Sequence, residues 1–106
     1  MSDAPESVDQ RRERMYKEAL ALEADATQVR YLWYLSFAEP GRFLGACIVE
    51  AASWLGAVIN SHALKCNPGG QVAIPDALPY GSIDDKWMNR LLSKEDIEQI
   101  PEVWHE

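Results

Sequence analysis

Cysteine is scarce in this chain: two thiols, Cys47 and Cys66, in 106 residues. That count excludes a disulfide-dense scaffold. With no export signal in view, it fits reduced thiols in a cytosolic compartment. Met1 to Gln10 is polar and acidic, with no apolar stretch behind it, so no secretory leader is expected. Long apolar runs are missing as well. The longest mostly apolar window, Phe43 to Ile59, is broken by Glu50 and Ser53, which argues against a membrane span. Positive charge is in deficit: 10 basic residues stand against 17 acidic ones, for a net charge of −7. Duplex binding runs on neutralised phosphates, so a general nucleic-acid binder is not expected.

What is present is ordinary for a globular domain: 47% hydrophobic and 25% charged residues. A chain of this length buries roughly 65% of its unfolded surface, enough for one core. The charge is uneven. Residues 1–30 carry five basic and seven acidic groups, residues 31–75 two of each, and residues 76–106 three basic and eight acidic. A neutral, apolar centre therefore sits between two charged flanks. The expected organisation is one domain: an N-terminal helical extension (1–28), a ββαβ core (29–75) and an acidic helical C-terminal part (76–106).

Ser7-Val8-Asp9-Gln10 fits a capping box that opens a helix from Val8 to Asp25. Met15, Ala19, Leu22 and Ala26 step by 4, 3 and 4 and form its apolar stripe. The stripe is narrow, so the helix should dock weakly or meet another subunit. The Arg11, Arg12, Arg14 and Lys17 cluster reads as a solvated helix face with acidic partners.

Val29 to Ala38 alternates as a strand rich in aromatic and β-branched residues. Glu39-Pro40-Gly41-Arg42 is a turn, expected as a four-residue loop around a type I or II turn. Phe43 to Ala51 returns. The implied register sets Tyr34 against Cys47, Trp33 against Ile48 and Tyr31 against Glu50. One face then carries Tyr31, Trp33, Leu35, Phe37, Leu44, Ala46 and Ile48. The other carries Leu32, Tyr34, Ser36, Phe43, Gly45, Cys47 and Val49. Both faces are apolar, so both need a cover, from this chain's helices or from a second copy.

Ser53 is placed as the N-cap of a helix over Trp54 to Cys66, with Leu55, Val58, Ile59, His62 and Cys66 buried and Asn60, Ser61 and Lys65 wetter. Asn67-Pro68-Gly69-Gly70 stops it. Gln71 to Ile74 is a short strand bounded by Pro75, and Asp76 to Gly81 carries the loop signals Pro79 and Gly81. Ser82 is read as capping a helix with Ile83, Trp87, Met88 and Leu91 on one face. Ser93-Lys94-Glu95-Asp96 is a second start, carrying Ile97 and Ile100 until Pro101. The order α-β-β-α-β-α-α is an α+β arrangement.

Four segments of this layout resemble a group of small uncharacterised phage and bacterial proteins. They are Trp33–Phe37, Phe43–Ala51, Asn67–Val72 and Asn89–Glu95. The resemblance spans roughly residues 31–98 and leaves out the first helix. Where that pattern often has an acidic residue after the second glycine, this chain has Gln71. The resemblance implies a phage or prophage-like setting and a compact cytosolic domain, and it brings no catalytic mechanism.

Metal and catalytic chemistry both read poorly. His62, Cys66 and Cys47 offer N and S donors, but a fourth ligand is missing, His105 lies in the tail, and core packing explains the cysteines. Ser36, Ser61 and the two thiols lie in no nucleophile-elbow sequence. Asp84 and Asp85 are explained by capping, and Glu50 by an edge charge accepting from Tyr31. No catalytic residue, metal or cofactor is expected.

The Asn67–Gly70 loop is the strongest candidate site, because consecutive small residues can turn backbone N–H groups toward an anion. Lys65 and Arg42 are its nearest cations, and Ser36 a hydrogen-bond donor. The candidate ligand-binding set is thus Ser36, Arg42, Lys65, Asn67, Gly69 and Gly70. Against it, a C-terminal stop plus a tight turn accounts for the same glycines, and no P-loop Lys-Ser/Thr follows them. The expected function is a non-enzymatic, homo-oligomeric cytoplasmic domain that binds a small anionic, nucleotide-like ligand. The alternative is an acidic protein–protein interaction module that inhibits a host protein.

Overall fold

The computed structural model describes residues 6–73, 77–78, 81–101 and 103. The fold is α+β. In chain order the elements are α1 (Val8–Ala24), β1 (Tyr31–Glu39), β2 (Arg42–Ala51), α2 (Trp54–Ala63), β3 (Gln71–Ala73), β4 (Ala77–Leu78), a 3-10 turn (Asp85–Trp87) and α3 (Lys94–Glu98). β1 is the hub of a four-stranded antiparallel sheet. β2 lies along one of its edges, and β3 and β4 share the other. The expected end of β3 at Ile74, its Pro75 boundary, Pro79 and His105 lie outside the described residues.

The hairpin turn is tighter than expected. Glu39 pairs with Arg42 directly, so only Pro40 and Gly41 form the loop. Gly41 has φ +74°, as the third residue of a type II turn requires, and proline ahead of it needs no positive φ. The expected register holds for Glu39–Arg42 and Ala38–Phe43. It then slips by one: Phe37 faces Gly45, Leu35 faces Cys47, Tyr34 faces Ile48 and Leu32 faces Glu50. Leu44 has no partner across the ladder and forms a β-bulge. A type II turn matches strand twist poorly, and a bulge adds the missing local twist. Gly45 takes φ +129°, and a Cβ there would stand 2.7 Å from Leu91 Cδ1.

That slip exchanges the β2 side chains between faces. Leu35, Phe37, Cys47, Val49 and Ala51 pack with Ala57 and Cys66 beneath α2. Leu32, Ala46 and Ile48 pack with Ile83, Trp87, Leu92, Ile97 and Ile100 on the other side. Each apolar face is packed by this chain's own elements, α2 on one side and the C-terminal segment on the other. Glu50 faces Leu32 rather than Tyr31 and is bound by Arg30.

The helix expected from Ser82 does not form. Asp84 caps a single 3-10 turn, Met88 is extended, and Asn89 sits at φ +60°. The tertiary reason is the outer edge of β2. Ala46 and Ile48 are fully buried there, and their backbone groups need partners. Residues 88–92 supply them: Ala46 N to Leu92 O at 3.0 Å, Leu92 N to Ala46 O at 2.6 Å and Asn89 N to Ile48 O at 3.0 Å. A helix through 82–91 would leave that edge bare. Ser93 and Asp96 then form the expected second start, as a complete capping box.

α1 opens on the expected capping box of Ser7 and Gln10. Two of its basic residues pair closely within the N-terminal segment: Arg14 with Glu6 at 3.0 Å and Glu18 at 3.2 Å, and Lys17 with Glu13 at 3.1 Å. Only Ala19 is buried along its 17 residues. Apolar contact alone therefore anchors it weakly, and a polar hub completes the docking. The Glu23 carboxylate accepts from Ala52 N at 2.6 Å, Asn60 Nδ2 at 2.7 Å and Arg30 NH2 at 3.0 Å. Arg30 continues to Glu50, and Asn60 also donates to Glu50 O at 3.0 Å. A Cβ at Gly56 would stand 3.1 Å from the Glu23 carboxyl carbon, a tight contact to which the carboxylate would have to yield.

Burial pushes the Glu23 carboxyl up, but the Ala52, Asn60 and Arg30 donors outweigh it and hold it below the usual carboxylate range. Glu23→Gln should lose about 1–3 kcal/mol at neutral pH, as partly buried donors lose a charged acceptor. The sign with pH follows from the depressed value. The contribution is fully present above the unfolded carboxylate value and is lost as pH falls through the folded one. Urea denaturation of both proteins should show curves that differ at pH 7 and converge in acid. Coincident curves at pH 7 would remove the hub.

Candidate functional site

The Asn67–Gly70 loop begins where α2 ends, and α2 ends three residues earlier than its pattern predicts. Leu64 is the C-cap, and Lys65 turns left-handed at φ +58°. Lys65 N donates to His62 O at 3.1 Å, and Cys66 N to Ser61 O at 3.0 Å. These two bonds are the Schellman pattern, with lysine in the position that usually holds glycine. The buried side of α2 also differs from expectation. Gly56, Ala57 and Ser61 face inward, Val58 and Ile59 are half-buried, and His62 is exposed. Small residues let α2 lie close to the sheet and to α1. Ser61 is tolerated inside because its hydroxyl donates to Val58 O at 2.6 Å.

Asn67 is the centre of the loop. Its Oδ1 accepts from Gly69 N at 2.8 Å, its Nδ2 donates to Ser61 Oγ at 3.1 Å, and the same Nδ2 lies 3.3 Å from His62 Nε2. The Gly69 N–H, a candidate anion donor, is thereby engaged within the loop. Gly70 at φ +74° presses against β1: a Cβ would stand 2.7 Å from both Ala38 O and Leu44 Cδ1. It delivers the chain into β3, where Gln71 pairs with Ala38, Val72 with Phe37 and Ala73 with Ser36.

The other candidates are only partly gathered. Arg42 stands at the hairpin turn opposite Glu39, at the same end of the sheet as the loop but on β2, across β1 from β3. Ser36 pairs with Ala46 and Ala73 and so belongs to the face away from α2. Lys65 sits at the α2 terminus, on the other side of the sheet. Neither Arg42 nor Lys65 makes an ion pair among the described residues. Two concave features of the molecule lie elsewhere. One, of about 260 Å³, is lined by Leu32, Glu50, Ile83, Asp85, Met88 and Asn89. The other, of about 140 Å³, lies between α1 and α2 against Met15, Ala19, Leu22, Trp54 and Leu55.

Cys47 and Cys66 share the cluster beneath α2 as free thiols. Burial pushes both thiols up, which fits small apolar packing rather than reactivity. His62 turns away from them to Asn67, and no group of three or more metal-ligating side chains occurs among the described residues. No described helix is long and apolar enough to cross a membrane. The α1–α2 groove was legible in part, through the thin stripe of α1. The role of Trp54 in it was not, because helical periodicity does not say which helix lies alongside.

Comparison with known proteins finds no matching family model, no matching curated protein and no matching solved structure.

The loop geometry generates a stability test. Lys65→Gly should stabilise the protein by roughly 0.5–1 kcal/mol, because glycine takes the left-handed position without a Cβ penalty. Gly70→Ala should destabilise it through the Ala38 contact. A urea midpoint that falls for Lys65→Gly would contradict the Schellman assignment.

Proposed function

We propose that this protein is a non-enzymatic interaction module that self-associates through the apolar stripe of α1 and the groove beside it. The observation that carries this reading is the open start of that stripe together with the exposed Trp54 beside its other end. Val8, Met15, Ala19 and Leu22 lie along one row of the helix. Ala19 is buried, Met15 and Leu22 are half-buried, and Val8 is 67% exposed. At 1.5 Å per residue α1 is roughly 25 Å long and α2 about 15 Å, so α1 outreaches the helix it rests on. Trp54 beside the groove is 48% exposed, a large apolar surface of the kind that anchors interfaces.

A second copy suits this surface for two reasons. Arg14, Lys17, Glu13 and Glu18 beside the stripe are paired within their own segment, so they call for no oppositely charged partner. A two-fold arrangement sets the same patch against itself, which is how most homodimers are built. An antiparallel pair of α1 helices would bring the overhanging Val8 turn of one copy toward the Trp54 groove of the other. The test is light scattering on a gel-filtration column at about 100 μM, a concentration that detects a dissociation constant in the micromolar range. The wild type should elute as a dimer. Val8→Glu and Trp54→Glu should elute near 12 kDa, with unchanged circular dichroism. A monomeric wild type would overturn the proposal.

Binding of a small anionic, nucleotide-like ligand is the second reading. It is favoured by Arg42 and Lys65, which are exposed and make no ion pair among the described residues. Cyclic nucleotides and related phosphates should then raise the melting temperature of the wild type and not of the Arg42→Ala, Lys65→Ala double variant. Absence of any shift at millimolar ligand would retire it. An inhibitor of a host protein in a phage-like setting would use the same outer helix face.

A further inference from the structure

We propose that the cavity where the C-terminal segment parts from β2 binds a short aliphatic diamine, with the Glu50 and Asp85 carboxylates taking its two ammonium ends. The cavity follows from the way the sheet edge is covered. Residues 88–92 pair with β2 at Ala46 and Ile48. Met88 is the bridge nearest the end of the strand, and the 3-10 turn before it makes no further bridge among the described residues. Side chains alternate along a strand, so the next one on that face is Glu50, opposite Leu32. A space of about 260 Å³ remains there, with apolar lining from Leu32, Ile83 and Met88.

The charge of this space is one-sided. Glu50 and Asp85 line it, and no lysine or arginine does. Arg30 does not cancel Glu50, because the same guanidinium also serves Glu23. One positive charge against two negative ones leaves that trio at −1. Glu23 has further donors in Ala52 N and Asn60 Nδ2. The Glu50 carboxylate has Arg30 alone among the described residues, and on one oxygen. Asp85 makes no ion pair among them, since Asp84 caps the turn. The neighbouring cations Lys86 and Arg90 lie over the Trp87 ring, at 5.1 and 5.4 Å from its centroid. Ser82, between the lining residues Gly81 and Ile83, keeps a buried hydroxyl oxygen with no partner, an unmet polar demand in the same wall.

These features select the ligand by chemistry. Two carboxylates on separate elements match two cationic heads, and methylene groups suit the apolar lining, as they do in the stem of a buried lysine. A bare calcium ion suits it less, because calcium takes about six to eight oxygen ligands. The volume lies just under the roughly 300–1,000 Å³ of drug-sized sites, so the molecule is small. The cavity is on the face of the sheet away from α2. It therefore stands or falls independently of self-association through α1.

Nitrogen-15 NMR of the full chain, titrated with cadaverine at constant ionic strength, tests the site. The Gly81, Ile83 and Asn89 amides should shift together and saturate at millimolar ligand. Asp85→Asn should weaken binding about tenfold, the worth of one charge-assisted hydrogen bond. Glu98→Gln makes the same charge change at an exposed position outside the cavity and should leave affinity unchanged. Butylamine, with a single ammonium, should bind about tenfold more weakly than cadaverine. The proposal is overturned if these amides show no saturable shift. Equal losses in Asp85→Asn and Glu98→Gln would also overturn it, as they would mark diffuse attraction to an acidic surface. So would butylamine binding as tightly as cadaverine, or calcium chloride saturating the same amides where cadaverine does not.

Discussion

The position of one unpaired residue, Leu44, decides the arrangement of everything packed on the sheet. Below the bulge the hairpin follows the register that its turn imposes. Above it, every β2 side chain points to the face opposite the one that simple counting assigns. That slip puts Cys47, Val49 and Ala51 under α2 and turns Ala46 and Ile48 toward the C-terminal segment. It also fixes what the C-terminal segment must do. Once Gly45 has swung β2 toward Leu91 and Leu92, the unpaired edge of β2 lies within reach of residues 88–92. Those residues then serve as edge cover rather than as a helix. Hydrophobic periodicity at Ile83, Trp87 and Leu91 was real, but buried backbone polar groups set the stronger demand.

The other end of the hairpin is governed by charge. Glu23 reaches from α1 to three donors that belong to three separate stretches: the residue after β2, the middle of α2 and the segment before β1. A single carboxylate thus ties the helical extension to both strand ends. Its donors come at the expense of little apolar burial, since Ala19 is the one fully buried residue of α1. This division explains how the helix stays docked while most of its surface remains open to a partner.

Local chemistry was legible wherever a few neighbouring residues decide the outcome. Ser7 with Gln10 and Ser93 with Asp96 form the capping boxes their spacing announces, and the hairpin lies where aromatic alternation and Pro40-Gly41 place it. What escaped the sequence was set by distance in space. The bulge depends on a compromise between turn type and strand twist. The inward side of α2 was chosen by Gly56, Ala57 and Ser61, small residues whose value lies in close approach rather than in hydrophobicity. A stripe of Leu55, Val58, Ile59 and His62 is the better pattern by polarity and the worse one by fit. β4, at two residues, is too short to carry any period at all. The same reasoning applies to the candidate site: Asn67 and the glycines were found by composition, whereas Lys65, Arg42 and Ser36 lie on elements whose mutual placement the chain order does not reveal.

The loop that looked like an anion cradle is better understood through the accounting of its hydrogen bonds. A nest offers donors with no internal use. Here the Gly69 N–H is consumed by Asn67, and the conformation of Gly70 is explained by its contact with Ala38. What remains open at that end of the molecule is side-chain charge, from Lys65 and Arg42, and a histidine whose ring nitrogen completes the Asn67 network. Those cations sit on different elements, Arg42 at the hairpin turn and Lys65 at the α2 terminus, so an anion drawn to this end would be held by side chains rather than by the loop backbone.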